Sequence, residues 1–62
     1  MHLSKRYLNT IKKYKDTTYL NRVPKYVISN DLKNIGIDIK PCYDLRVLRS
    51  IMKVLVEDNV GV

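Results

Sequence analysis

The sequence lacks the residues that small proteins use to stabilise a fold covalently or through a metal. Its 62 residues include one Cys, Cys42, one His, His2, and no Trp or Phe. A single Cys excludes an internal disulfide, and one Cys with one His falls short of the four ligands of a structural zinc site. A chain of this length buries only about 60% of its unfolded surface, so its stability is marginal. We therefore expect stabilisation by a partner rather than by a metal or cofactor.

Catalytic groups are equally scarce. The sequence has one Glu and two Gly, and it shows neither the paired carboxylates of acid–base catalysis nor a Gly-rich phosphate loop. The longest aliphatic run, Val54-Leu55-Val56, is far shorter than the roughly 20 residues that cross a bilayer. No apolar segment of a secretory signal follows the basic start. These absences predict a non-enzymatic, intracellular protein with no small-molecule substrate, and they argue against a membrane partner.

All of the net positive charge lies near the N-terminus. Residues 1–25 hold seven Lys or Arg against one Asp, which gives +6, whereas 26–62 hold five cations and five carboxylates. Clustered cations interleaved with tyrosines are typical of surfaces that contact phosphates and stack bases. The alternative is a solvated face that keeps a small protein soluble. The candidate contacts with nucleic acid or with an acidic partner surface are Lys5, Arg6, Lys12, Lys13, Lys15, Arg22 and Lys25.

The periodicity of the basic segment predicts a helix over 3–15. Apolar residues, Leu3, Tyr7 and Tyr14 among them, recur at spacings of three or four positions and form one stripe. Ser4 is a candidate cap. At about 100° per residue, the Lys and Arg side chains spread around the opposite face of the helix. The cations are therefore expected on a fixed surface rather than on a free tail.

The middle of the chain predicts less helix. β-Branched and aromatic residues dominate 16–28, which favours an extended connector. A short helix over 30–35 follows and is ended by Gly36. The alternating residues of 37–39 favour a short two-stranded β pairing with 26–28.

The last predicted helix, 45–58, follows Asp44, which is a good N-cap. This helix is apolar over about twice the 100° width that one packing contact needs. Since the rest of the chain is too small to cover that surface, we expect a partner protein or a second copy to cover it. The residues of this expected interface are Leu45, Leu48, Ile51, Met52, Leu55 and Val56.

These elements combine into a mainly α fold. The prediction is one small three-helix domain over 1–62, with an extended connector and without internal repeats or low-complexity segments. Its two parts are a basic helix with the connector, 1–25, and a neutral helical half, 26–62. A chain of this length is too short to form two separate hydrophobic cores.

Two further patterns bear on nucleic-acid binding. Residues 31–37 resemble the end of the first helix and the turn of a helix-turn-helix motif, although the next helix begins too late for the standard form. Arg46, Arg49 and Lys53 share one face of the last predicted helix. They either track phosphates or form a polar edge in which Lys53 pairs with Glu57.

In size, charge and build the chain resembles the small recombination directionality factors and excisionases of temperate phages. The resemblance implies a phage or mobile-element accessory protein in the cytoplasm of a bacterial host. Such a protein docks onto a larger nucleic-acid-processing protein, for example a recombinase, an integrase or a polymerase, and modulates its activity. The basic face would then meet DNA or an acidic surface of the partner. The alternative is a stand-alone homodimer that binds DNA or RNA through the same basic segment.

Overall fold

The computed structural model describes residues 5–59, which form four helices. These are α1, Lys5–Tyr14, α2, Thr17–Arg22, α3, Lys25–Asn34, and α4, Leu45–Asp58. α4 packs against both α1 and α3, and α1 also packs against α2. The prediction of a mainly helical fold is confirmed, with one helix more than expected. No strand occurs in the described part of the chain.

α1 follows from the apolar stripe of the basic segment. Ile11 and Tyr14 are 0% and 1% exposed, and Tyr7 packs half-buried against the same core. Side chains three and four positions apart share a helix face, so this stripe turns together toward the interior. The first predicted helix, 3–15, is thus confirmed over 5–14, and it ends one residue earlier than predicted. The predicted cap, Ser4, lies outside the described residues.

The extended connector predicted over 16–28 is wrong, because two helices occupy this segment. Asp16 begins α2, since its carboxylate accepts hydrogen bonds from the backbone amides of Thr18 at 3.0 Å and Tyr19 at 3.4 Å. Pro24 then precedes the first turn of α3, where the missing N–H costs nothing because such amides lack helical partners. These two helix starts outweigh the weak β preference of the residues between them.

The predicted β pairing of 26–28 with 37–39 is absent from residues 5–59. Residues 26–28 lie inside α3, and 37–39 belong to the irregular segment between α3 and α4. The short helix predicted over 30–35 is the second half of α3, which begins five residues earlier. β-Branched residues enter a helix when tertiary packing supports them. Ile28, which is 0% exposed, provides that support.

Gly36 ends α3 as the sequence predicts. Its φ of +92° lies in the left-handed region, which glycine adopts without a Cβ clash. The amides of Gly36 and Ile37 donate at 3.0 Å to the carbonyls of Lys33 and Leu32, respectively. This pair of bonds is a Schellman motif, and it satisfies two carbonyls that the end of the helix would leave unpaired.

α4 begins after Asp44, as expected. The carboxylate of Asp44 accepts a hydrogen bond from the Val47 amide at 2.9 Å, which satisfies one unpaired donor of the first turn. Leu48 and Met52, one turn apart, are 0% exposed. All four helices contribute to the core, which contains Ile11, Tyr14, Leu20, Val23, Ile28, Leu32, Leu48 and Met52. The chain therefore covers more of α4 by itself than the sequence suggested.

Candidate nucleic-acid interface

The exposed side of α1 is polar and mostly cationic. We call it the α1 cationic face, and its members, all exposed, are Lys5, Arg6, Asn9, Lys12 and Lys13. At about 100° per residue they fall within an arc of about 120°. The buried residues Ile11 and Tyr14 lie on the opposite side of the helix. Packing of α1 into the core therefore fixes the direction in which these cations point.

One carboxylate reaches the edge of the α1 cationic face. Asp31 of α3 pairs with Lys13, with 3.1 Å between Oδ2 and Nζ, and it accepts a hydrogen bond from the Tyr14 hydroxyl. Burial of Tyr14, reinforced by the hydrogen bond to Asp31, raises the pKa of the phenol far above its ordinary value. The phenol therefore stays neutral and donates, which ties α1 to α3.

The other cations of the α1 cationic face keep their charge uncompensated. Lys5, Arg6 and Lys12 form no ion pair with a carboxylate in the described part of the chain. Exposed lysines and arginines without a nearby carboxylate attract anions more strongly than paired ones do. This face is therefore an electropositive surface on a rigid support.

A second cationic surface combines residues from both halves of the sequence. We call it the α3 groove, and it is lined by Lys25, Ser29, Lys33, Ile39, Lys40, Pro41 and Tyr43. Lys25 and Lys33 lie two turns apart on α3, and Lys40 comes from the segment before α4. Lys33 and Lys40 were not predicted as contacts. The spacing of four residues from Lys25 to Ser29 and from Ser29 to Lys33 could have indicated that these side chains share one helix face.

The remaining predicted contacts, Arg22 and Lys15, are not members of these two surfaces. Arg22 is exposed in the last turn of α2 and borders a groove that also contains Asp16 and Tyr19. Lys15 is exposed just after α1. The structure therefore brings together the α1 cations and separates them from Lys25, which joins lysines of the neutral half.

Half of the carboxylates are used inside the fold. The chain has six, of which Asp16 and Asp44 cap helices and Asp31 holds Tyr14 and Lys13. The others are Asp38, Glu57 and Asp58, all exposed. Because a capping carboxylate spends its hydrogen bonds on backbone amides, it competes less for lysines. Residues 26–62 therefore have no net charge, yet they contribute to a surface that is locally positive.

The tyrosines differ in their availability. Tyr19 is half-buried, and its ring centre lies 5.1 Å from that of the buried Tyr14. The Tyr7 hydroxyl accepts a hydrogen bond from Asn59 Nδ2 at 3.0 Å. Tyr26, in the first turn of α3, is 76% exposed. Among these four rings, Tyr26 alone is exposed.

Of the six residues predicted for a partner interface on α4, the chain itself fully covers two and partly covers four. Leu48 and Met52 are 0% exposed. The half-buried members, packed against the core, are Leu45, Ile51, Leu55 and Val56. The exposed apolar residues of α4 are Val47, 38% exposed, and Val54, 54% exposed. These two valines lie two turns apart and form a narrow exposed strip.

Other classes of site find no support within residues 5–59. No cluster of three His, Cys, Asp or Glu side chains suited to a metal ion occurs there, and none of its helices has the length and apolarity needed to cross a bilayer. Comparisons with protein-family models, curated proteins and solved structures give no match to this chain. Function is therefore inferred from the charge and exposure of the surfaces described above.

Proposed function

We propose that this protein is a non-enzymatic nucleic-acid-binding protein that holds the phosphate backbone against the α1 cationic face and the α3 groove. The α1 cationic face carries the proposal, because its exposed lysines and arginine sit on a helix whose other side is anchored in the core. Cations that neutralise phosphates release condensed counterions, and this provides affinity without reading base sequence.

The α3 groove supports the same function with different chemistry. Its three lysines provide further phosphate contacts, and the exposed ring of Tyr26 follows Lys25 directly in the chain. Stacking on an aromatic ring is worth about 1–3 kcal/mol per base and tolerates any sequence. The combination favours binding that depends on salt and backbone rather than on a particular sequence.

The double variant Lys5→Ala/Lys12→Ala tests this proposal. It removes two exposed cations from the α1 cationic face and leaves the core untouched. We expect weaker binding to a mixed-sequence DNA duplex, and a plot of log affinity against log salt whose slope is shallower by about 2, one for each phosphate that is no longer neutralised. Fluorescence anisotropy over a salt series measures both quantities. The same series with single-stranded RNA separates DNA from RNA binding.

The matched control is Asn30→Ala. Asn30 is exposed on α3 and lines neither the α1 cationic face nor the α3 groove, so its replacement should leave the slope unchanged. Equal slopes for the unsubstituted protein, the double variant and the control would rule out the α1 cationic face. A flat salt dependence of the unsubstituted protein would rule out phosphate binding as a whole.

An accessory role is the second candidate function, and the exposed valines of α4 favour it. Val47 and Val54 leave an apolar strip on the central helix that no other described helix covers. In this case the protein docks through the strip onto a larger nucleic-acid-processing protein, such as a recombinase or a polymerase, and alters its activity. Exposed apolar patches of this kind commonly lie at protein interfaces.

A valine variant separates the two functions. Val47→Lys/Val54→Lys should abolish binding to any recombinase or polymerase that the unsubstituted protein binds, measured by calorimetry, while duplex binding persists. Lys5→Ala/Lys12→Ala should show the reverse pattern. Unchanged partner binding by the valine variant would contradict the accessory role. Sedimentation of the free protein adds one more outcome. If the unsubstituted protein is a dimer and the valine variant is a monomer, the strip contacts a second copy of the chain.

A further inference from the structure

α2 packs beside the polar edge of α4 and turns that edge into one wall of a groove. We call it the α4 groove, and its lining residues are Leu20, Asn21, Arg46, Arg49, Ser50 and Lys53. It combines three cations, a side-chain amide and a hydroxyl, and no carboxylate of the described residues lines it. On α4 alone these cations are a row on a helix surface. The α2 residues Leu20 and Asn21 make the row concave.

The alternative role of this row, a self-compensated polar edge, finds no support in the described residues. Lys53 is four positions before Glu57, the spacing at which opposite charges pair on a helix. No ion pair joins these two side chains within residues 5–59, and neither Arg46 nor Arg49 has a carboxylate partner there. The positive charge of the α4 groove is therefore not neutralised by its own helix.

Arg49 adds a second, independent observation. Its side chain is half-buried, and its Nε is buried without a hydrogen-bond acceptor among the described residues. A buried donor without an acceptor costs about 1–3 kcal/mol. An oxyanion supplies the missing lone pairs, and guanidinium groups bind phosphate oxygens through two parallel N–H bonds. A small shift of the Arg49 side chain would bring this donor, which is closed to solvent in the structure, to an anion in the α4 groove.

We infer that the α4 groove binds a phosphate group of the nucleic-acid backbone, with Arg49 held by burial at its base and Arg46 and Lys53 on its rim. The identity of the ligand rests on the proposed nucleic-acid-binding function, whereas the anion site rests on the groove itself. A nucleic-acid backbone is favoured over an isolated carboxylate because its phosphates repeat along the strand, so more than one of the three cations that line the groove can be neutralised. The contact surface then includes α4 as well as α1 and α3.

Nuclear magnetic resonance of the arginine Nε–H groups tests this inference directly. Inorganic phosphate is the first probe and a mixed-sequence DNA duplex is the second. We expect the Arg49 Nε–H signal to shift with both probes and to saturate. Arg6 lines a different groove on α1 and is exposed, whereas Arg49 is half-buried, so Arg6 should respond to the duplex and less to phosphate. A peptide of glutamates is the third probe, and it should shift Arg49 less than phosphate does.

Variants connect the site to affinity. Arg49→Gln should make the salt slope of duplex binding shallower by about 1 and abolish saturable phosphate binding. Arg49→Lys keeps the charge and loses the planar guanidinium. Its salt slope should therefore lie between those of Arg49→Gln and the unsubstituted protein. Far-UV circular dichroism verifies that both variants are folded, and Asn30→Ala is the control for both readouts.

The outcomes separate this site from the proposed function. If the duplex shifts the amides of α1 while Arg49 responds to neither phosphate nor duplex, the α4 groove is not a phosphate site and the proposed function stands. If Arg49 responds to phosphate while the duplex does not bind at all, the anion site stands and the nucleic-acid assignment falls. A glutamate peptide that binds the groove more tightly than phosphate or duplex would overturn the assignment in favour of an acidic protein.

Discussion

α1 and α4 are both amphipathic, yet they divide their surfaces differently. α1 buries Ile11 and Tyr14 and exposes a cationic side opposite them. α4 lies against α1 and α3, and its exposed side is split between a cationic edge and the strip of Val47 and Val54. A peripheral helix can devote one whole side to charge. A central helix keeps only the edges that its neighbours leave uncovered, so its functional groups lie in grooves between helices.

The largest expected effect tests whether the two sides of α4 differ as much as their exposure indicates. Leu48→Ala removes a fully buried side chain from the centre of the core and should lower the free energy of unfolding by about 3 kcal/mol. Val54→Ala, on the exposed strip, should change it by less than about 0.5 kcal/mol. Urea denaturation followed by circular dichroism measures both values. Similar losses for the two variants would mean that the strip is part of the core.

The next effect concerns a polar tie between the buried side of α1 and α3. Tyr14→Phe removes the hydrogen bond to Asp31 and should cost about 1–3 kcal/mol. Since burial and Asp31 raise the folded-state pKa of Tyr14 above its ordinary value of 10.0, the stabilising contribution is complete below pH 10.0. It is lost progressively as the pH rises above that value.

The pH dependence of stability distinguishes loss of this hydrogen bond from a simple packing defect, because a packing defect would lower stability equally at every pH. Stability of the unsubstituted protein should fall faster above pH 10.0 than that of Tyr14→Phe, so the two stability curves converge there. Thermal unfolding at a series of pH values measures the difference between them. Curves that stay parallel throughout would show that the phenol does not contribute in this way.

A smaller effect is expected at the start of α4. Asp44→Ala removes the carboxylate that accepts from the Val47 amide and should lower the free energy of unfolding by about 1 kcal/mol. Asp44→Asn keeps an acceptor and should lose less than half of that amount. Equal losses for the two variants, measured by urea denaturation, would assign the effect to charge rather than to capping.

The smallest effect on stability is expected on the α1 cationic face. Lys5→Ala/Lys12→Ala should change the free energy of unfolding by less than about 0.5 kcal/mol, because both side chains are exposed and pair with no carboxylate within residues 5–59. A small gain at low salt is expected from reduced repulsion among like charges. A marked loss, measured by thermal unfolding, would mean that this side of α1 is structural.

The helical course of α1 and the boundaries of α4 could be predicted because their buried residues follow the helical period and Asp44 provides a local start signal for α4. α2 and α3 could not be predicted in the same way. The residues of 16–28 favour strands by propensity, and the outcome depends on Asp16 and Pro24 together with packing of Ile28 against other helices. Propensity is a weak guide where tertiary contacts decide the balance.

The candidate site was predictable in part for the same reason. The α1 cations follow from the helical period of one segment, so their common face can be deduced from the sequence alone. Lys25 and Lys33 share α3, whose first turns the sequence did not predict, and Lys40 joins them only after the chain turns at Gly36. A helical wheel of α4 also overstates its exposed apolar surface, because it contains no information about the neighbouring helices that cover Leu48.

The hydrogen bond between Asn59 and Tyr7 has a consequence for chain connectivity. It places the first turn of α1 beside the end of α4, so the two ends of the described chain are neighbours in space. A short linker could join them, and new termini could be opened in the exposed segment around Pro41. Such a circular permutant would retain every helix pair. It would also place the cations of α4 before those of α1 and α3 in the order in which they emerge from the ribosome.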